Sequence, residues 1–158
     1  MPYEITLARV PPVRLAVFPT RATRQTLGRV ITSGPVWTFL RALGIRTAGH
    51  NVVVYRSRAG EAAALGEFLL EVGADVFEPF AEAEGVVNAT TPAGLSASTR
   101  HTGPYSEMGG AHEAILAWCR ANGRRLAGPS WEVYGHWTDD PAALETDIFY
   151  LVSDEARP

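Results

Sequence analysis

RALGIRTAGHNVVVY, residues 41–55, and RANGRRLAGPSWEVY, residues 120–134, are one passage written twice. Eight of the fifteen positions are identical at a constant offset of 79 residues: Arg41/Arg120, Ala42/Ala121, Gly44/Gly123, Arg46/Arg125, Ala48/Ala127, Gly49/Gly128, Val54/Val133 and Tyr55/Tyr134. The aromatic pair Phe39/Trp118 extends the match upstream. Solenoid repeats run roughly 20–50 residues, so a period this long argues against a stacked array. Two copies in 158 residues point to a duplicated domain with pseudo-two-fold symmetry.

The sequence around each copy runs in the same order. Two short apolar segments meet at a Pro-containing corner: Glu4–Arg9 and Val13–Phe18 around Pro11 and Pro12, then Val86–Thr90 and Leu95–His101 around Pro92 and Gly94. Their alternation and β-branched content predict strands. A helix follows each corner. In the second copy Met108, Ala111, Ile115, Trp118 and Cys119 fall at helical spacing, and Asn122-Gly123 supplies a stop. In the first copy SGP interrupts the pattern. Ser33 is expected to cap a new segment with Pro35 in its first turn, and Trp37, Leu40 and Leu43 are expected to face inward. Each copy closes with two more strands, His50–Arg56 and Leu69–Val76, then Ser130–His136 and Thr146–Val152. The loops SRAGEAAALGE and TDDPAAL separate the strands of each pair. The fold class is therefore α+β: a single domain over 1–158 built from two ββαββ-like halves, 1–79 and 86–155. Phe77–Gly85 connects them, and a ligand cleft is expected between them.

Composition narrows the function. Asp and Glu number 17 against 14 Lys and Arg, a net charge of −3. Phosphate recognition needs a basic face, so no direct nucleic-acid binding is expected. Arg120, Arg124 and Arg125 read as a solvated helix end. The single cysteine, Cys119, excludes an internal disulfide and a multi-cysteine metal site. Its apolar helical context reads as a small buried hydrophobe. No apolar run reaches the roughly 18 residues of a membrane span, and MPYEITLARV lacks the basic start and long apolar core of a signal peptide. The expectation is a cytoplasmic protein with no membrane association.

The second copy carries one residue that breaks its own pattern. Within WEVY, period two puts Trp131 and Val133 on one face and Glu132 and Tyr134 on the other. The last strand splits into Ile148, Tyr150 and Val152 against Glu145, Asp147, Phe149 and Leu151. If the apolar faces pack on the helices, Glu132, Tyr134 and Phe149 line the junction of the halves, where ligand pockets are favoured. The first copy has Val53 where the second has Glu132. An acid among aromatic rings suits an organic cation, since the rings offer their negative faces and the carboxylate its charge. The competing reading is a Glu132 that faces water on a solvated sheet.

PAGLSASTRHTGPYSEM (residues 92–108), AWCRANGRRLAGPSWEVY and ETDIFYLV (145–152) together resemble a GyrI-like domain, the effector-binding domain of AraC-type and multidrug-responsive regulators, and EVGADV (71–76) agrees. The resemblance covers nearly the whole chain. It implies a fold shared with SOUL-type haem-binding proteins and a cleft for small aromatic or cationic molecules. It also implies an acid on the WEVY strand, carried over to Glu132, as the anchor. Aromatic cleft positions carry over to Tyr55, Tyr134 and Phe149. Tyr105 of HTGPY matches a recurrent tyrosine that also suits a role in holding the loop before the helix. The chain starts almost directly with its first strand, leaving no room for a helix-turn-helix, so a stand-alone domain is expected.

Three functions follow from the residues and the resemblance. The first is a small-molecule binding module for sensing or sequestration, resting on Glu132 with Tyr55, Tyr134, Phe149, Tyr105, Trp137 and Glu145. The second is a metal-independent hydrolase of strained-ring genotoxic natural products. There Glu132 activates water, Tyr134 or Tyr105 supplies a proton, and Glu145 is the alternative base. Glu145 matches Glu71 as a recurrent strand-end acid, which points to a structural role. The third is a protein partner, such as gyrase. No cofactor is expected: His50, His101, His112 and His136 form no metal-ligand spacing. His112 is expected to serve a backbone carbonyl. No phosphate-binding glycine loop or GxSxG elbow is present. Free sheet edges would allow a homodimer.

Overall fold

The computed structural model describes residues 3–23, 25–32, 34–56 and 68–156. Its elements are β1 (Thr6–Val10), β2 (Arg14–Ala22), α1 (Leu27–Thr32), α2 (Val36–Leu43), β3 (Thr47–Tyr55), β4 (Phe68–Val76), β5 (Val87–Thr90), β6 (Gly94–Thr102), α3 (Gly109–Ala121), β7 (Arg124–Tyr134) and β8 (Glu145–Ala156). All strand pairs described below are antiparallel, so the architecture is α+β. The expected cap at Ser33 and the loop SRAGEAAALGE lie outside the described residues.

The chain forms two compact units, residues 1–11 with 92–158, and residues 12–91. The first contains β1, β6, β8 and β7 in that order, with α3 against them. The second contains β5, β2, β4 and β3 in that order, with α2 against β4 and β2. These divisions differ from the halves 1–79 and 86–155 read from the repeat. Each short leading strand pairs outside its own repeat copy: Thr6–Val10 lies against Gly94–Ser98, and Val87–Thr90 against Arg14–Val17. The Pro11-Pro12 and Thr91-Pro92 corners are where the chain passes from one unit to the other. Thr91 ties its corner to Val13 by two bonds: its hydroxyl accepts from Val13 N, and its N–H donates to Val13 O.

The identities in the repeat have a backbone cause. Gly44 and Gly123 both adopt φ 66° at the end of their helices, the left-handed stop that only glycine takes without strain. Gly49 (φ 90°) and Gly128 (φ 125°) sit where the β3–β4 and β7–β8 registers shift. Such bulges need a residue free to adopt positive φ.

α2 buries Val36, Phe39 and Leu40 against Ala16, Ala74, Val76 and Val86, with Trp37 partly buried beside them. Leu43 does not face inward as expected; it is 55% exposed, one residue before the Gly44 stop. In the first unit α3 buries Ala111, Ile115 and Cys119 on Ala97, Ile148 and Val152. Cys119 is the small buried hydrophobe its context predicts, and burial pushes its thiol pKa up. A fully buried side chain such as Ile115 or Ile148 contributes about 1.5–3 kcal/mol.

Candidate ligand-binding site

Strand register decides where Glu132 points. Residues directly opposite in an antiparallel pair share a face. Glu132 is opposite Ile148, and Ile148 is opposite Thr99 and packs under α3. Glu132 and Tyr134 therefore lie on the helix face with Ile148 and Tyr150. Phe149 is opposite Trp131 and Ser98, on the other face, where it stacks on Trp131 at 5.0 Å. The expected grouping of Glu132, Tyr134 and Phe149 on one face is thus corrected. Period two sorted each strand internally; the pairing between strands was assigned one residue out of phase. Phe149 instead borders a groove of about 530 Å³ with Glu4, Thr6, Ser98, Arg100 and Asp147.

A carboxylate facing the helix would be costly alone, because a buried charge persists only when paired and hydrogen-bonded. The side chain of Glu132 is only 4% exposed. His112 Nε2 lies 2.8 Å from one of its oxygens, and the Tyr134 hydroxyl donates to the other at 2.9 Å. His112 Nδ1 in turn lies 2.7 Å from the Tyr150 hydroxyl. A continuous chain of bonds runs Tyr150–His112–Glu132–Tyr134. Its parts come from α3, β7 and β8. His112 is one turn from Ile115 and on the packed side of α3, which aims the imidazole at the sheet. It thus serves two side chains instead of the backbone carbonyl expected for it.

Burial, then the negative charge of Glu132, pushes the Tyr150 phenol up to about 12. Tyr150 therefore remains a hydrogen-bond donor at all ordinary pH. With Tyr150 donating to Nδ1, His112 presents its Nε2–H to Glu132. Tyr105 follows β6 in a one-turn 3-10 helix and meets the Tyr134 ring edge-on at 5.1 Å. Desolvation raises its pKa as well. Thr146, directly opposite Tyr134, is buried with its hydroxyl unpartnered among the described residues.

The HTGPY segment holds this end of the unit together. His101 is buried, with Nδ1 2.8 Å from the Tyr3 hydroxyl and Nε2 3.0 Å from the Pro104 carbonyl. Gly103, at φ 136°, makes the turn that brings that carbonyl back.

The other expected residues fall elsewhere. Tyr55 ends β3 in the second unit and is half-buried. Trp137 stands 72% exposed on the loop after β7, apart from the hydrogen-bonded set. Glu145 is exposed and reaches Arg100 at 3.4 Å. Its proposed match to Glu71 is off by register. Glu71 is opposite Val54, and the residue opposite the repeat-equivalent Val133 is Asp147. Asp147 binds Arg100 through both oxygens, while Glu71 binds Arg56 through two guanidinium nitrogens. The recurrent acid of the last strands is a salt-bridging one, and Glu145 is not it. His112, Tyr150 and Thr146 were not singled out as site residues. The signal for His112 was its place one turn before Ile115.

Among the described residues no helix is long and apolar enough to cross a membrane, and no three His, Cys, Asp or Glu side chains are grouped to hold a metal.

A helix-covered antiparallel sheet thus holds a buried, paired acid among tyrosines. The chain belongs to the GyrI-like small molecule binding domain family, whose model matches residues 4–152. No curated protein matches the sequence. Among solved structures, the EcmrR C-terminal domain matches 98% of this chain and 100% of its own at 19% identity and TM-score 0.82. EcmrR in a DNA complex matches at 16% identity and TM-score 0.81; there 97% of this chain is matched but only 58% of the EcmrR chain. SAV2435 bound to tetraphenylphosphonium matches at 11% identity and TM-score 0.63, over 96% and 94% of the two chains. A hydrolase from Listeria innocua, encoded by lin2189, matches at 10% identity and TM-score 0.60, over 95% and 92%. At these identities the likeness is one of fold.

Proposed function

We propose that the protein binds lipophilic aromatic cations, with Glu132 as the anchoring charge and Tyr134, Tyr105 and Tyr150 as the aromatic surround. The observation that carries this reading is the carboxylate itself: a 4% exposed acid on the helix-covered face, beside tyrosine rings. Keeping a charge there is expensive, and Val53 serves at the equivalent position of the repeat. A desolvated carboxylate beside tyrosine rings complements a cation with a large apolar periphery, through unscreened charge and cation–π attraction. The fold neighbour SAV2435 has been solved with such a cation.

The hydrogen-bonded chain Tyr150–His112–Glu132–Tyr134 favours a second reading. In it the same carboxylate takes a proton from water as the water oxygen attacks a strained ring carbon. The strained ring bond at that carbon breaks, Tyr134 gives its proton to the atom released, and Glu132 then returns the proton taken from water to the Tyr134 oxygen, so the net change is addition of one water. One experiment separates the two. The protein is incubated with tetraphenylphosphonium and with strained-ring electrophiles, and both the complexes and the recovered small molecules are weighed by mass spectrometry. Binding with return at the original mass is the expected result. Return of an electrophile with one water added, faster than in buffer, replaces it with the hydrolase reading. Neither binding nor conversion sinks both.

A further inference from the structure

Glu132 is an anchor already in use. One oxygen is covered by His112 and the other by Tyr134, and the side chain is 4% exposed. A ligand cation cannot touch either of these oxygens until the donor on it moves. Of the two donors, the His112 side chain is itself 23% exposed. It can leave by rotating about its own bonds on the surface of α3.

The neighbours of His112 allow it two charge states. Tyr150 carries a hydroxyl that both donates and accepts. It donates to Nδ1 of a neutral imidazole; when that nitrogen takes a proton, the same 2.7 Å contact carries the bond in the other direction. Nε2–H faces Glu132 in both cases. Glu113 and Cys119 on α3 act electrostatically, with Glu132, on Tyr150, whose hydroxyl meets His112 Nδ1. On β7 the imidazole's partner Glu132 also accepts from Tyr134, whose ring meets Tyr105. On β6 the helix-facing histidine is His101, held by Tyr3 and Pro104.

We propose that His112 is a built-in, proton-dependent competitor for Glu132: a cationic ligand binds by displacing the imidazole, and acidification weakens binding by turning that imidazole into a rival cation. The proposal rests on Glu132 being the anchor. Displacing a neutral imidazole sacrifices one hydrogen bond to a carboxylate. Displacing an imidazolium sacrifices an ion pair at 2.8 Å in a site shielded from water, which is the stronger contact. Protonation of the imidazole therefore raises the penalty. Ligand and proton are then reciprocally linked. In the limit of one proton released per cation bound, the dissociation constant rises about tenfold for each pH unit of acidification.

The test is titration of the full chain with tetraphenylphosphonium between pH 6 and 8, above the ordinary carboxylate range near pH 4. Triphenylphosphine oxide serves as the neutral control. The expected result is cation affinity that falls with pH while the neutral compound stays flat, and a pH-independent cation affinity in His112→Gln, which keeps a donor for Glu132 without a titrating charge. Calorimetry of the wild type in two buffers of different ionisation enthalpy requires no variant, and should read net proton release on cation binding. A flat wild-type profile, a slope that persists in His112→Gln, an equal slope for the neutral compound, or no proton release would each overturn the proposal while leaving Glu132 as anchor. Failure of the cation to bind at every pH would overturn the anchor reading and this proposal with it.

Discussion

Glu132 and Val53 occupy the same place in the repeated passage, two residues before a strand-ending tyrosine, and both are buried, at 3% and 0% exposure. Val53 pairs with Val72 on β4, and Glu132 with Ile148 on β8. The backbone devices around them recur: the same left-handed glycine after the helix, and a glycine at the same register shift. What differs is the partner. Glu132 has His112 and Tyr134, whereas Val53 sits by register among Val72, Leu70 and Ala74. The acid sits where α3 and β7 both supply donors, and the valine where its register neighbours are apolar. The acid is a feature of a network, not of a strand.

Four changes break or sharpen this contrast. The largest effect is expected from Val53→Glu, which buries an acid in an apolar setting and should cost about 3–5 kcal/mol in denaturant unfolding. Stability near wild type would mean that the contrast between the copies is not one of partners. Next, Glu132→Val converts the second copy into the first. It should weaken tetraphenylphosphonium binding by about 2–3 kcal/mol, roughly 30- to 150-fold. Third comes Tyr150→Phe, read in alkaline unfolding. The folded phenol is raised to about 12 from 10.0, so the native state holds its proton when the unfolded chain has lost it. That contribution is intact below pH 10 and is lost as pH rises from about 10 to about 12. The variant should show a shallower fall across that window. Smallest is Thr146→Val, which removes a buried unpartnered hydroxyl. It should leave stability unchanged or raise it by up to about 1 kcal/mol. A loss of ligand affinity there, with stability retained, would add Thr146 to the site.

Much of the fold was legible because it is written in local chemistry. Alternation marked the strands, helical spacing found α3, and the paired glycines turned out to be left-handed positions. The strand pairing was not legible. Nothing in TLARV states that it pairs with β6 rather than with its neighbour β2, since pairing is set by contacts distant in sequence. The same gap explains the site. Glu132 and Tyr134 stood out as residues, and their shared face followed from period two. Whether that face met a helix depended on the register of β7 against β8, where a slip of one residue exchanges the faces. Phe149 was misplaced for this reason. Glu145 was matched to Glu71 because both open an acidic strand pattern, whereas register matches Asp147 to it. His112 was visible as a helix residue, but its two side-chain partners lie 20 and 38 residues away.

The most direct test of the account is calorimetric titration of wild type and Glu132→Gln with tetraphenylphosphonium and triphenylphosphine oxide at one pH. Glutamine keeps the shape and one acceptor oxygen while removing the charge, and its NH2 can donate to the Tyr134 hydroxyl oxygen, which accepts as well as donates. The account predicts that the cation loses at least about tenfold in affinity, while the neutral compound stays within about twofold. Equal affinity of both proteins for the cation, or an equal loss for both compounds, would contradict the claim that the Glu132 charge is what this site offers a ligand.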